Sequence, residues 1–236
     1  MSKIIQGDCL EVMKDFPDES VDLVVTDPPY KIHSESGGGL HKSRDWLKDV
    51  TEEELNEFKP KPFLKIIEKK LKTFNAYIFT SKDLLTEYLD FIEDREYNWD
   101  LLHLSKKNPI PTKNNKYLPD TELILFIREE GACFNNKREF DLYRKNKVVT
   151  VTKNNLHPTK KPIKPIKEMI KISSGEEDLI LDPYLGVGTT AKACKILNRN
   201  YIGIELKEKY AQKSREHLEE TMGQKDGLKN FTNGGD

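Results

Sequence analysis

Short apolar runs recur along the chain, separated by stretches in which apolar residues fall three or four positions apart. That alternation predicts an α/β fold, a doubly wound, mostly parallel sheet with helices over both faces. Runs at 4–6, 21–25, 76–80, 101–105, 122–127, 179–181 and 201–204 read as strands. Leu206, Tyr210, Ser214, Leu218 and Met222 recur every four residues, and Ile163, Ile166 and Ile170 form a second stripe; both predict helices that bury one face. Residues 81–94 also read as helix. Thr51 followed by three glutamates offers an N-cap with acids in the first turn, although Pro60 and Pro62 must break or restart any helix there.

Two stretches lack a regular period: 31–49, with Gly37, Gly38 and Gly39 at its centre, and 129–156, rich in Lys, Arg and Asn. Long irregular segments in a compact domain are usually functional or mobile. The first is expected to act as a lid hinged at its glycines. Residues 222–236 are polar and Gly-rich, which predicts a disordered tail. The remainder, 1–221, reads as one domain, and 236 residues suffice for a sizeable core.

Composition narrows the class. Lys plus Arg is 39 against Asp plus Glu 40, a net charge of -1, so any attraction to nucleic acid must be local. The three cysteines, Cys9, Cys133 and Cys194, are scattered, which suggests neither a disulfide framework nor a zinc site, and no metal is expected. With no long apolar span and no leader at Met1, the sequence reads as a protein of a reducing cytoplasm, away from membranes.

The polar residues at the strand ends carry the candidate chemistry. In open α/β sheets the ligand crevice lies beyond the carboxyl ends of the strands. Asp8 follows "IIQG", Asp27 follows "VVT", Asp182 follows "LIL" and Glu205 follows "YIGI". Within "DPYLGVGTT", Gly186 and Gly188 permit a tight turn into a helix near Thr189, and Glu205 lies 23 residues after Asp182, a spacing that suits an acid on ribose hydroxyls. Several carboxylates would repel a phosphorylated nucleotide, and no G-K-[ST] holds phosphates. S-adenosylmethionine, with a sulfonium and an ammonium against one carboxylate, suits such a crevice. Helix capping and a divalent-metal cluster are the competing explanations of the acids.

"DPPY", Asp27 to Tyr30, ends a strand that reads as buried. Pro28 and Pro29 lack N–H groups and fix φ, which stiffens the backbone and leaves a carbonyl free beside the Asp27 carboxylate. Two acceptors at a fixed separation match the two hydrogens of an exocyclic amino group. Pulling those hydrogens out of plane would shift nitrogen toward sp³ and aim its lone pair at an electrophilic methyl group. Tyr30 would stack on the ring. A plain turn is the alternative reading of the tetrapeptide.

"GDCLEVMKDFPDESVDLVVTDPPY", "HPTKKPIKPIKEMI", "LILDPYLGVGTTAKAC" and "YIGIELKEKYAQKSREHL", in that order, closely resemble the β-type amino-directed DNA methyltransferases over about residues 3–221. The resemblance implies a Rossmann-like, S-adenosylmethionine-dependent fold with permuted motif order. Asp27, Pro28, Pro29 and Tyr30 would carry catalysis, and Asp27 would also belong to the cofactor-binding set. Asp182, Gly186 and Gly188 would form the methionine-side loop, with Thr189 opening its helix, and Glu205 would bind the ribose. Asp8 and Cys9 would lie near the cofactor adenine, and Thr159 and Lys161 would reach the cofactor carboxylate. The chain has Tyr184, Val187 and Lys160 where relatives commonly have Phe, Ser and Gln, and weaker cofactor binding is the expected cost.

The family chemistry requires a flipped base and therefore a grip on double-stranded DNA. Residues 137–171 hold eleven Lys and Arg against three acids, and 105–117 add four Lys with no acid. Lys106, Lys107, Lys113, Lys137, Arg138, Arg144, Lys145 and Lys147 are the candidate DNA contacts, a solvated charged face being the alternative. In the β-type order, 129–156 falls where the target-recognition region lies. So short an insertion predicts a short recognition sequence or help from a second subunit, and β-type relatives often form homodimers.

Within that resemblance, Asp at position 27 leans toward adenine N6, whereas Ser there would lean toward cytosine N4. Methylation of a protein amide or of RNA is disfavoured, since those relatives usually have Asn at the catalytic place and the opposite motif order. A non-catalytic nucleic-acid-binding partner is the alternative of another class, against which the intact motifs argue.

Overall fold

The strands alternate cleanly between two buried faces. Val24, Ala76, Ile78, Leu125, Ile127 and Leu181 enter one core with Phe63, Leu64, Ile67, Tyr88, Phe91 and Ile92. Leu23, Val25, Tyr77, Phe79, Ile124, Phe126 and Ile180 enter the other with Ile166, Met169, Ile170, Ala193 and Cys194. Successive side chains of a strand point to opposite faces, so a sheet covered on both sides needs the near-continuous apolar runs seen in the sequence.

The computed structural model describes residues 2–29, 58–109, 117–135, 139–150 and 161–229. In chain order the elements are β1 (Lys3–Gln6), α1 (Cys9–Val12), β2 (Leu23–Thr26), α2 (Pro60–Lys70), β3 (Asn75–Thr80), α3 (Leu85–Glu93), β4 (Asn98–Lys106), β5 (Thr121–Arg128), β6 (Asn146–Val149), α4 (Ile163–Ser173), β7 (Leu179–Asp182), α5 (Thr189–Ile196), β8 (Asn200–Glu205) and α6 (Glu208–Lys229). The strands form one sheet in the order β1-β8-β7-β2-β3-β5-β4-β6. Helices α1 to α3 cover one face; α4 and α5 cover the other, and α6 packs on β1, β8 and α5.

All seven expected strands are present. β5 alone reverses: it pairs antiparallel with both β3 and β4, while β1, β8, β7, β2 and β3 are mutually parallel. β6 lies inside 129–156, which the sequence left irregular. Its inward positions are Lys147 and Val149, so half of the apolar signal is carried by a lysine.

The helices also answer to local chemistry. Pro60 opens α2, where its missing N–H costs nothing and its fixed φ suits the first turn, so the prolines restart a helix. Helix α6 continues to Lys229, into the stretch from 222 expected as a tail, and residues 230–236 lie outside the described residues. Once Tyr210, Ala211 and Leu218 anchor its first turns, each further residue adds a backbone hydrogen bond without nucleation. The expected lid at 31–49 and the start of the expected helix at Thr51 lie outside the described residues. No helix among the described residues is long and apolar enough to cross a membrane.

Candidate active site

The parallel strands deliver their carboxyl ends to one edge. Gln6 pairs with Glu205, Asp182 with Gly203 and Val24 with Leu181, so Asp8, Glu205, Asp182 and Asp27 all arrive there, as the sequence predicts. The reversed β5 begins at that same edge, because Leu123 is opposite Thr80. Glu122 therefore joins the four acids, and Lys106 at the end of β4 lies beside it.

The loop between β7 and α5 is drawn tight by backbone donors. Asp182, 5% exposed, accepts from Thr26 Oγ1 at 2.8 Å and from the Tyr184 N–H at 3.1 Å. Glu205 accepts from the Gly186 N–H at 2.9 Å and from the Lys207 N–H at 3.0 Å. Gly186 and Gly188 have φ of 56° and 82°, the left-handed region that glycine enters at no steric cost. At Gly188 the close approach matters as well, since a Cβ there would sit 2.1 Å from Ser214 Oγ of α6. Thr189, buried, opens α5 immediately afterwards.

Burial pushes the Asp182 carboxyl up to about 7, against hydrogen bonds from Thr190 and Thr26, while the nearby Asp27 adds to the rise. A buried carboxyl held this high is short of positive charge. Tyr184 packs edge-on to Phe58 and tilted on Phe63, with ring centroids 5.8 and 5.7 Å away. That ring stands where relatives commonly have Phe, and burial pushes its hydroxyl well above the ordinary tyrosine value.

Asp27 sits directly after β2, ahead of Pro28 and Pro29. Its Oδ2 lies 2.9 Å from Lys161 Nζ, which also lies 3.0 Å from Glu122 Oε2 and 4.9 Å from the centre of the Phe79 ring. Lys106 Nζ is 2.6 Å from Glu122 Oε1. Asp27 Oδ1 is buried and has no hydrogen-bond partner among the described residues. Burial raises the Asp27 pKa, Lys161 opposes that and Glu122 reinforces it. Burial would raise Glu122 too, yet Lys161 and Lys106 together hold it below the ordinary carboxylate value.

Asp8 caps α1, with Oδ1 accepting from the Leu10 and Glu11 N–H groups at 2.8 and 3.1 Å. Cys9 is in the core, and burial pushes its thiol up to about 11, so only its backbone faces outward chemistry. Tyr30, Thr159, Lys113, Lys137 and Arg138 lie outside the described residues. Lys107 is exposed; Arg144 is exposed and 2.7 Å from Asp141; Lys145 pairs with Asp100, toward the other end of β4 from Lys106.

Lys147 must be removed from the DNA candidates. It is 5% exposed, 3.0 Å from Glu168 and hydrogen-bonded to the Leu142 carbonyl, so its charge is spent inside the fold. Its inward position on β6 decides this, and β6 was not legible in the sequence. Glu122, Lys106 in its ion-pairing role, Thr26 and Thr190 are the site residues the motifs did not indicate. An acid opening the apolar run "TELILFI" is the available signal for Glu122, and it points to this edge only once β5 runs antiparallel to its neighbours.

Comparison with known proteins agrees with this geometry. A family model described as DNA methylase, covering enzymes of N6 and N4 type, matches residues 21–216. The Type II methyltransferase M.HinfI of Haemophilus influenzae is 28% identical over 259 residues, covering 93% of this chain and 69% of that protein. The Type II methyltransferase M2.MboI of Moraxella bovis is 29% identical over 243 residues, covering 92% and 87% respectively. Among solved structures, the crystal structure of the M1.HpyAVI-SAM complex aligns with a TM-score of 0.71 and 27% identity, over 92% of this chain and 100% of that one. Since the matched span runs from the strand that ends at Asp27 to the helix that braces the glycine loop, the chain belongs to the N6/N4 DNA methylase family.

Proposed function

We propose that this chain transfers a methyl group from S-adenosylmethionine to the exocyclic N6 of adenine in double-stranded DNA, on a base turned out of the duplex. The observation that carries this reading is Asp27, whose Oδ1 is buried and unpartnered among the described residues, directly before two prolines. A buried acceptor with no donor is costly unless a ligand supplies one.

The residues fit the cofactor. Asp182 is pushed up to about 7 in the absence of a cation, so a sulfonium or ammonium nearby would let it ionise. Gly186 and Gly188 let the loop take left-handed backbone, and Glu205, which accepts from the Gly186 N–H, presents a carboxylate at the edge. Asp182, Gly186, Gly188 and Thr189 would hold the methionine side, Glu205 the ribose, and Lys161 with Thr159 the carboxylate. S-adenosylmethionine supplies an electrophilic methyl group.

On the base side, the work belongs to the chain. Asp27 Oδ1 and the carbonyl fixed by Pro28 and Pro29 accept the two amino hydrogens, which localises the nitrogen lone pair. Tyr30 stacks on the ring and holds the base out of the helix. Lys161, 2.9 Å from Asp27 Oδ2, opposes the rise that burial imposes on the Asp27 carboxyl and so favours its carboxylate form. Lys107 and Arg144 contribute positive charge to the duplex grip.

The test is direct. The protein is incubated with cofactor and unmethylated DNA, the DNA is digested to nucleosides, and these are separated by mass. N6-methyl-2′-deoxyadenosine is expected. N4-methylcytosine instead would move the assignment to cytosine, whose amino group the same pair of acceptors fits, and no methylated nucleoside would refute the reading.

A further inference from the structure

Lys161 stands between two carboxylates. Its Nζ is 2.9 Å from Asp27 Oδ2 and 3.0 Å from Glu122 Oε2, and only 11% of the side chain is exposed. Lys106, itself 25% exposed, closes the row at 2.6 Å from Glu122 Oε1. The four charges alternate in sign and cancel. Glu122 reaches this position only because β5 runs against β3, which puts its first residues where the parallel strands end.

A Lys161 paired with Asp27 alone would compete with the incoming amino group for the same carboxylate. Removing one partner from a buried pair strands a charge, and that resists exchange. A second carboxylate on the far side of the ammonium removes the difficulty. Glu122 Oε2 is buried and makes no aligned hydrogen bond among the described residues, so it retains capacity to accept one. Lys106 fixes Glu122 and offsets its charge, so the site gains an acceptor for Lys161 without net negative charge beside Asp27.

We propose that Glu122, held by Lys106, is a positioning residue for methyl transfer: it shares the Lys161 ammonium with Asp27 and takes it over when the amino group of the flipped base binds Asp27. The inference rests on Asp27 as the amino-group acceptor and is indifferent to whether the base is adenine or cytosine. No covalent bond changes in the exchange; one ion pair lengthens and another shortens.

The test compares the full-length wild type with Glu122→Gln, Glu122→Asp and Lys106→Met. Three quantities are read: kcat at saturating DNA and S-adenosylmethionine, cofactor Kd by calorimetry, and thermal midpoint. Glu122→Gln is expected to lower kcat by about 10- to 100-fold, the range seen when a group supporting a functional side chain is removed. Cofactor Kd, to which Lys161 also contributes, should weaken by much less than kcat falls, because the exchange of the ammonium belongs to the transfer step. Glu122→Asp keeps the charge and should recover part of kcat, and Lys106→Met should fall between wild type and Glu122→Gln. A Glu122→Gln kcat within about twofold of wild type would overturn the inference. So would an equal loss in cofactor Kd, which would assign Glu122 to the cofactor, or equal damage from Gln and Asp tracking the thermal midpoint, which would make it structural. A wild type that methylates no nucleoside would overturn the underlying reading of Asp27 and this inference with it, whereas an active wild type isolates the result to Glu122.

Discussion

Replacing Gly188 with alanine should cost more than replacing Gly186 in the same loop between β7 and α5, and the structure says how much. At φ of 82° an L-residue with a Cβ is strained, by about 1–2 kcal/mol. The added Cβ would also lie 2.1 Å from Ser214 Oγ, 3.2 Å from its Cβ and 3.4 Å from its Cα. Because Ser214 is fully buried on α6, it cannot swing into solvent, and overpacking of this kind costs about 1–3 kcal/mol. The two terms together give roughly 2–5 kcal/mol. Gly186 is the internal control: its φ of 56° carries the same backbone strain, but a Cβ there meets nothing within 4 Å. Urea unfolding of Gly186→Ala, Gly188→Ala, Ser214→Ala and the Gly188→Ala/Ser214→Ala pair separates the terms. Ser214→Ala removes a buried hydroxyl that has no partner among the described residues, so alone it should be nearly neutral, and in the pair it should return most of the overpacking cost. Equal destabilisation at 186 and 188, or no recovery in the pair, would refute the claim that α6 sets the shape of the loop.

Other outcomes follow from the same site. Asp27→Ala should abolish methyl transfer while leaving cofactor Kd, measured by calorimetry, nearly unchanged; retained activity would remove the acceptor role. Asp182 carries a native pKa of about 7 against a reference of 3.8, so the folded state holds a proton that the unfolded chain releases between those values. Wild-type stability should therefore fall, relative to Asp182→Asn, as pH rises from about 4 to 7 and then level off, by up to about 4 kcal/mol. Denaturation at pH 5 and pH 8 checks this, and a difference that does not grow with pH would contradict it. Lys147→Met, which strands Glu168, should cost about 3 kcal/mol in stability with no change in the salt dependence of DNA binding. Lys107→Ala should do the reverse, weakening DNA binding and reducing its log–log salt slope by about one if it contacts a phosphate. A slope unchanged on fluorescence titration would take Lys107 out of the interface.

The local signals were strong wherever one residue type had one physical reading. Apolar runs buried on both faces, such as 76–80 and 179–181, gave strands in place, because sheet burial is a property of the run itself. Asp27, Asp182 and Glu205 were legible as a set because parallel strands all discharge their carboxyl ends at one edge, so chain direction alone collects them. Gly186 and Gly188 were legible because only glycine tolerates that turn, although the sequence could not say that Ser214 presses on one and not on the other.

What the tertiary structure alone decided depended on direction and on distant partners. The reversal of β5 is invisible in "TELILFIR", since an apolar run has no preferred sense, yet it carries Glu122 to the edge where Asp27 arrives. The same lysine chemistry then divides by position: Lys161 is drawn to Asp27, Lys147 is buried on Glu168, and Lys107 stays in solvent. The sequence by itself determined which strands exist, which acids end them and where the backbone must turn, because those follow from burial period and local sterics. Only the fold decided which charges face one another, because an ion pair is set by the packing of elements far apart in the chain.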